Sequence, residues 1–165
     1  MINFITGLFS RGEASLSEAS ARDASAIASL HSASFRRGWS EQEVEALLID
    51  RHVIAHRAMG DRKLAGFIMS RIVEDEAEIL SVATASRQRG RGLARQLLDL
   101  HLRRLAGLGA RTVFLEVDEH NDPALRLYHR AGFSEVSRRA SYYSAGAGAG
   151  DGQAASALVL RRDLF

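Results

Sequence analysis

The stretch Arg89-Gly90-Arg91-Gly92-Leu93-Ala94-Arg95 decides how this chain is read. It follows a short apolar run, Glu76 to Ala83, and opens the clearest helical pattern in the sequence. That pattern is Gly92 to Leu108, where Leu93, Leu97, Leu98, Leu102, Leu105 and Leu108 mark one face and Gly107 and Gly109 mark the end. A strand that passes through glycines into a helix brings free amide groups and the positive end of the helix dipole to one point, which favours an anion. Glycine lets the backbone approach a ligand closely, and the arginines of the turn add charge-assisted bonds to phosphate oxygens. The turn therefore describes a pyrophosphate cradle, although an ordinary loop with solvated arginines fits the same letters. A Walker-type loop needs Gly-Lys-Ser/Thr, and Lys63, the only lysine, is followed by Leu64. A dinucleotide fingerprint needs a third glycine where Arg95 stands, and it usually opens its fold, whereas this turn comes after three earlier strand patterns.

Upstream, Ala14 to Ala19 reads as a first strand and Ala21 to Phe35 as a helix. Ser40 with Glu43 has the spacing of a capping box, and Val44, Leu47 and Leu48 give the apolar face of the helix it starts. His52 to Ala58, Lys63 to Ile72 and Glu76 to Ala83 read as a meander, with turns at Gly60-Asp61 and Val73-Glu74-Asp75 and the third strand central. Downstream come a buried strand at Val113 to Val117, a short helix from Pro123 to Ala131 stopped by Gly132, and strands at Phe133 to Arg139 and Ala157 to Arg161. The expected fold is α/β (α+β), with a mixed central sheet of about six to seven strands flanked by helices.

The length, 165 residues, suits one domain over residues 1–165. Residues 1–13 read as an N-terminal extension and 144–156 as a flexible, low-complexity Gly/Ala-rich loop. Hydrophobic residues make up 46% and charged residues 25%, a balance that excludes a disordered chain. The absence of cysteine excludes disulfides, zinc-thiolate sites and a catalytic thiol. No apolar run is long enough to span a bilayer and the leader lacks signal-peptide character, so the expectation is a cytoplasmic protein with no membrane partner. A formal charge of +2 without a contiguous basic run gives no support for direct nucleic-acid binding. Six histidines are present, none at a metal spacing, and no metal is expected. The acidic group Glu74-Asp75-Glu76 with Glu78 fits an exposed turn and strand face.

Several further segments carry a family resemblance. Arg89-x-x-Gly92-x-Ala94 matches the Gln/Arg-x-x-Gly-x-Gly/Ala signature of the GNAT acyltransferases. Phe114-Leu115-Glu116-Val117, Asn121 and Leu127-Tyr128-x-x-x-Gly132-Phe133 match that family in order and spacing. Gly38-Trp39-Ser40-Glu41, and Arg138-Arg139 with Tyr142-Tyr143, further resemble the RimI-type branch, which acetylates protein N-terminal alanines. Together these cover roughly residues 15 to 163. One departure is Gln153-Ala154-Ala155-Ser156, where that branch commonly carries acidic residues.

The resemblance implies acetyl-CoA as cosubstrate. The backbone of Val82, Ala83 and Thr84 would pair with its pantetheine arm, the amides of Gly90, Arg91, Gly92, Leu93, Ala94 and Arg95, with Arg89, would hold its pyrophosphate, and Asn121 would bond to the arm. It makes Glu116 the base that deprotonates the acceptor amine and Tyr128 the acid that protonates the departing thiolate. The same letters also fit a glutamate ending a strand at the surface and a core tyrosine beside Leu127 and Phe133. Trp39, Asp118, Tyr142 and Tyr143 would contact the acceptor, and packing of the three aromatic residues or solvation of Asp118 explains them as well. The acceptor implied is a protein N-terminus, that of a small-subunit ribosomal protein. A small-molecule amine and a non-catalytic acetyl-CoA sensor are the alternatives.

Overall fold

A computed structural model describes residues 13–140 and 156–165. Its elements are β1 (Ser15–Glu18), η1 (Ala21–Asp23), α1 (Ala24–Ser34), α2 (Glu41–Ile49), β2 (Val53–Gly60), β3 (Lys63–Val73), β4 (Glu76–Thr84), η2 (Ser86–Gln88), α3 (Leu93–Gly107), β5 (Thr112–Asp118), α4 (Asp122–Arg130), β6 (Ser134–Arg139) and β7 (Ala157–Asp163). The strands form one seven-stranded sheet in the order β1-β2-β3-β4-β5-β7-β6. β4 is its middle strand, and the β4–β5 pair is parallel while the others are antiparallel. The expected mixed sheet is therefore present, with β7 inserted between β5 and β6.

Alternating side chains divide the interior into two layers. On one face, α3 buries Leu97, Leu98 and Leu105 against Val113, Leu115 and Leu160. On the other, Ile27 of α1 and Val44 of α2 pack on Phe67 and Met69 of β3. The α3 stripe differs from the expected one at two positions. Leu108 lies past the last turn and is 40% exposed, while His101 is fully buried.

The capping box forms as expected: Ser40 Oγ accepts the Glu43 amide proton at 3.1 Å, and a Glu43 carboxylate oxygen accepts that of Ser40 at 2.7 Å. Ser40→Ala is expected to cost about 1 kcal/mol in chemical denaturation. The β2–β3 turn is shifted from its expected place. Gly60 ends β2 in register with Lys63, and Asp61 and Arg62 form the turn with φ of 50° and 63°. Two left-handed residues match a two-residue hairpin to the twist of its strands, a role usually taken by Asn-Gly or Asp-Gly.

A polar chain crosses the apolar layer beneath α3. Nδ1 of His56 on β2 lies 2.7 Å from Nδ1 of His101 on α3, and His101 Nε2 lies 2.7 Å from Ser70 Oγ on β3. Burial lowers the pKa of both imidazoles, that of His101 to about 3. With both rings neutral, one Nδ1 donates and the other accepts, and the Ser70 hydroxyl completes the chain in either arrangement.

Candidate active site

The parallel ladder between β4 and β5 is short. It joins Glu76, Ala77 and Glu78 to Thr112, Val113 and Phe114 and then stops, although β4 continues to Thr84 and β5 to Asp118. An irregularity in the β3–β4 register helps part them. Met69 pairs with Ser81 and Ser70 with Ile79, so Leu80 is an extra residue on β4. Such a bulge bends its strand and raises its twist. Beyond it, Val82, Ala83 and Thr84 pair with β3 on one edge and have no β5 partner on the other.

A cavity of about 780 Å³ occupies this opening. Its walls include Val82, Ala83 and Thr84, the turn residues Arg89, Gly90, Gly92, Leu93, Ala94 and Arg95, and Asn121 and Tyr128. Arg91 is exposed and is not part of the wall. Gly90 and Gly92 have φ of 78° and 75°. A Cβ at either would meet no atom within 4 Å, so the left-handed backbone, not crowding, calls for glycine there. Gly92 caps α3, whose first amides have no intrahelical acceptor. Arg95 is held to Asp99 at 3.0 Å. The free amides, the guanidinium groups and the length of unpaired β4 edge fit a long ligand with an anionic end, as acetyl-CoA is.

Asn121 caps α4, accepting the Ala124 amide proton at 3.3 Å. Tyr128, about two turns further along, is 8% exposed and meets Phe133 edge-on at 5.7 Å between ring centres. The ring is core, as one reading of this tyrosine expects, and the residue also lines the cavity. Burial pushes the phenol pKa up to about 12, so it keeps its proton across the physiological range.

Glu116 points the other way. Leu115 and Val117 face the α3 layer, and Glu116 between them turns to the opposite face, half-exposed. It lines a second cavity, of about 340 Å³, with Arg71, Glu76, Glu78, Phe114, Arg139 and Val159 among its neighbours. Arg139 Nη1 lies 3.0 Å from its Oε1. The sequence motifs left Arg139 without a role at this carboxylate, because the β5–β7–β6 strand order brings it there.

The remaining expected residues lie apart. Trp39 is half-buried, stacks on His31 at 4.0 Å between ring centres and donates its amide proton to His31 Nδ1 at 3.1 Å. Asp118 is exposed and accepts the His120 amide proton at 2.7 Å, which organises the turn before α4. Tyr142 and Tyr143, and residues 144–155 of the Gly/Ala-rich loop, lie outside the described residues, as do residues 1–12. The cavity also recruits residues that no motif indicated, among them Phe35, Gln88, Arg126 and Arg130. The i, i+4 spacing of the two arginines was the available signal. Among the described residues, no His/Asp/Glu group is arranged to hold a metal, and no helix is long and apolar enough to cross a membrane.

Residues 24–133 match the family model for acetyltransferases of the GNAT family. The chain belongs to this family and is an acetyl-CoA-dependent N-acetyltransferase of GNAT type. It is 33% identical over 105 residues to the ribosomal protein bS18-alanine N-acetyltransferase of Salmonella typhimurium, an alignment covering 64% of this chain and 70% of that protein. The crystal structure of the ribosomal-protein-S18-alanine N-acetyltransferase from Escherichia coli superposes with a TM-score of 0.81 at 25% identity, covering 92% of this chain and 94% of that one. A mycothiol acetyltransferase of Corynebacterium aurimucosum is 36% identical over 100 residues, 58% of this chain and 32% of that protein.

Proposed function

We propose that this protein acetylates the N-terminal α-amine of a protein, a ribosomal-protein alanine in the first instance, in the cytoplasm. The observation that carries the reading is Glu116: a carboxylate turned out of the core, on the strand that borders the opening, in a chain similar to bS18-alanine acetyltransferases. Acetyl-CoA, when bound, supplies a thioester carbonyl as electrophile. Val82 to Thr84 align its arm along the open edge of β4, the amides of Gly90 to Arg95 with Arg89 hold its pyrophosphate, and Asn121 bonds to the arm. Glu116 takes a proton from the acceptor ammonium, directly or through one water. The freed nitrogen forms its bond to the carbonyl carbon as the carbon–sulfur bond breaks, Tyr128 gives its proton to the leaving sulfur, and the second proton shed by the new amide nitrogen restores the phenol through solvent. In this reading transfer is direct, and with no cysteine in the chain no protein thiol carries the acyl group. Trp39, Asp118, Tyr142 and Tyr143 remain the proposed acceptor contacts.

Coenzyme A release should be fastest with alanine-led peptides and with ribosomal protein. The likeness to a mycothiol acetyltransferase supports a second reading, transfer to a small-molecule amine, which polyamines and aminoglycosides in the same panel would reveal. Tyr128→Phe should slow turnover about 100-fold while coenzyme affinity persists. Equal turnover in the variant would remove Tyr128 from the acid role.

A further inference from the structure

Two arginines of α4 have no place in the reading above. Arg126 and Arg130 both line the cavity at the end of β4, on the same stripe of the helix as Pro123 and Leu127. They are four residues apart, which separates them by about 6 Å along the axis. Both are exposed, and neither forms an ion pair or a side-chain hydrogen bond with a described residue. A local partner exists for one of them. Asp122 stands four residues before Arg126, the spacing at which a helix brings opposite charges together, yet no such pair forms. The two guanidinium groups thus add positive charge to a cavity whose glycine turn already supplies the donors for one pyrophosphate.

Coenzyme A carries a second anionic group, the 3′-phosphate on its ribose. A phosphomonoester holds a charge of about −1.5 to −2 at neutral pH and offers three acceptor oxygens. Two planar guanidinium forks one helical turn apart suit such a group, since each can make paired bonds to phosphate oxygens. We infer that Arg126 and Arg130 form a subsite for the 3′-phosphate, separate from the pyrophosphate turn, by which the enzyme distinguishes coenzyme A from its 3′-dephospho form. The inference rests on the cavity being the coenzyme site.

The test is calorimetric titration of the full chain with coenzyme A and with 3′-dephospho-coenzyme A. The wild-type protein should bind coenzyme A roughly 10- to 100-fold more tightly than the dephospho form, the range expected for hydrogen bonds to a charged group. In Arg126→Gln/Arg130→Gln the two ligands should bind alike, with affinity for the dephospho form unchanged and a melting temperature close to wild type. Wild-type affinities that do not differ would overturn the subsite, as would a double variant that weakens both ligands equally. Failure of wild type to bind either ligand would overturn the coenzyme site itself, a result distinct from the other two. Raising ionic strength should narrow the wild-type difference and leave the variant's unchanged.

Discussion

Glu116→Gln is expected to lower turnover about 10²- to 10⁴-fold while acetyl-CoA binds as before. An α-amino group has a pKa of about 7.7–8.0, so at neutral pH most acceptor is ammonium and has no lone pair for attack. Glutamine keeps the size of glutamate and can still meet the Arg139 guanidinium, but it cannot accept the proton. The loss should therefore be largest at neutral pH and shrink above about pH 8, where the acceptor deprotonates in solution. Coenzyme A release across pH, alongside calorimetric binding of acetyl-CoA, separates this from a folding defect. A variant with wild-type turnover at pH 7 would mean that Glu116 only ends its strand.

The second large effect concerns acid. The His56–His101–Ser70 chain should make the fold lose stability as pH falls below about 6.5, before the carboxylates titrate. The sign follows from the direction of the shifts. Burial lowers both imidazole pKa values in the folded protein, with Glu18 opposing and Arg104 reinforcing the shift at His56. The unfolded chain therefore binds more protons below 6.5. The contribution is fully present above that pH and is lost as pH falls towards about 3, the folded value for His101. While His101 stays neutral it accounts for about 1.4 kcal/mol per pH unit, and His56 adds to this in the upper part of the window. Denaturant midpoints at pH 7.5, 6.5, 5.5 and 4.5 measure the slope. His101→Gln should be less stable at pH 7.5, because it disturbs a buried hydrogen-bonded chain, and should show a shallower acid limb. A variant with the wild-type slope would place the acid sensitivity elsewhere.

Much of the frame was legible in the sequence because it is written in short-range patterns. The leucine spacing marks α3, the Ser40–Glu43 pair marks the start of α2, and the Gly90–Gly92 turn fixes where a strand gives way to a helix. The order of the late strands was not legible: β7 enters between β5 and β6, and nothing local to Ala157–Asp163 encodes that partner. The Arg139 contact with Glu116 follows from this order and was hidden with it. The α3 face was misread at one end because helical spacing alone gives Leu108 and His101 no rank. Tertiary packing buries the histidine, where β2 and β3 supply partners, and leaves the leucine past the last turn. The Leu80 bulge has no glycine to announce it. Arg126 and Arg130 belong to no motif, and only the packing of α4 beside the opening gives them a place in the cavity wall.

The brief β4–β5 ladder sets two kinds of fitness against each other. A sheet is strengthened by zipping its strands to the end, and here the middle of the sheet stops after three paired residues on each side. Extending the ladder along Val82 to Thr84 would satisfy more backbone within the chain and close the very slot where the acyl donor is proposed to lie. On that proposal, the protein leaves a stretch of its own sheet edge for a metabolite to fill. Selection for a sturdier sheet at this seam would be selection against the enzyme.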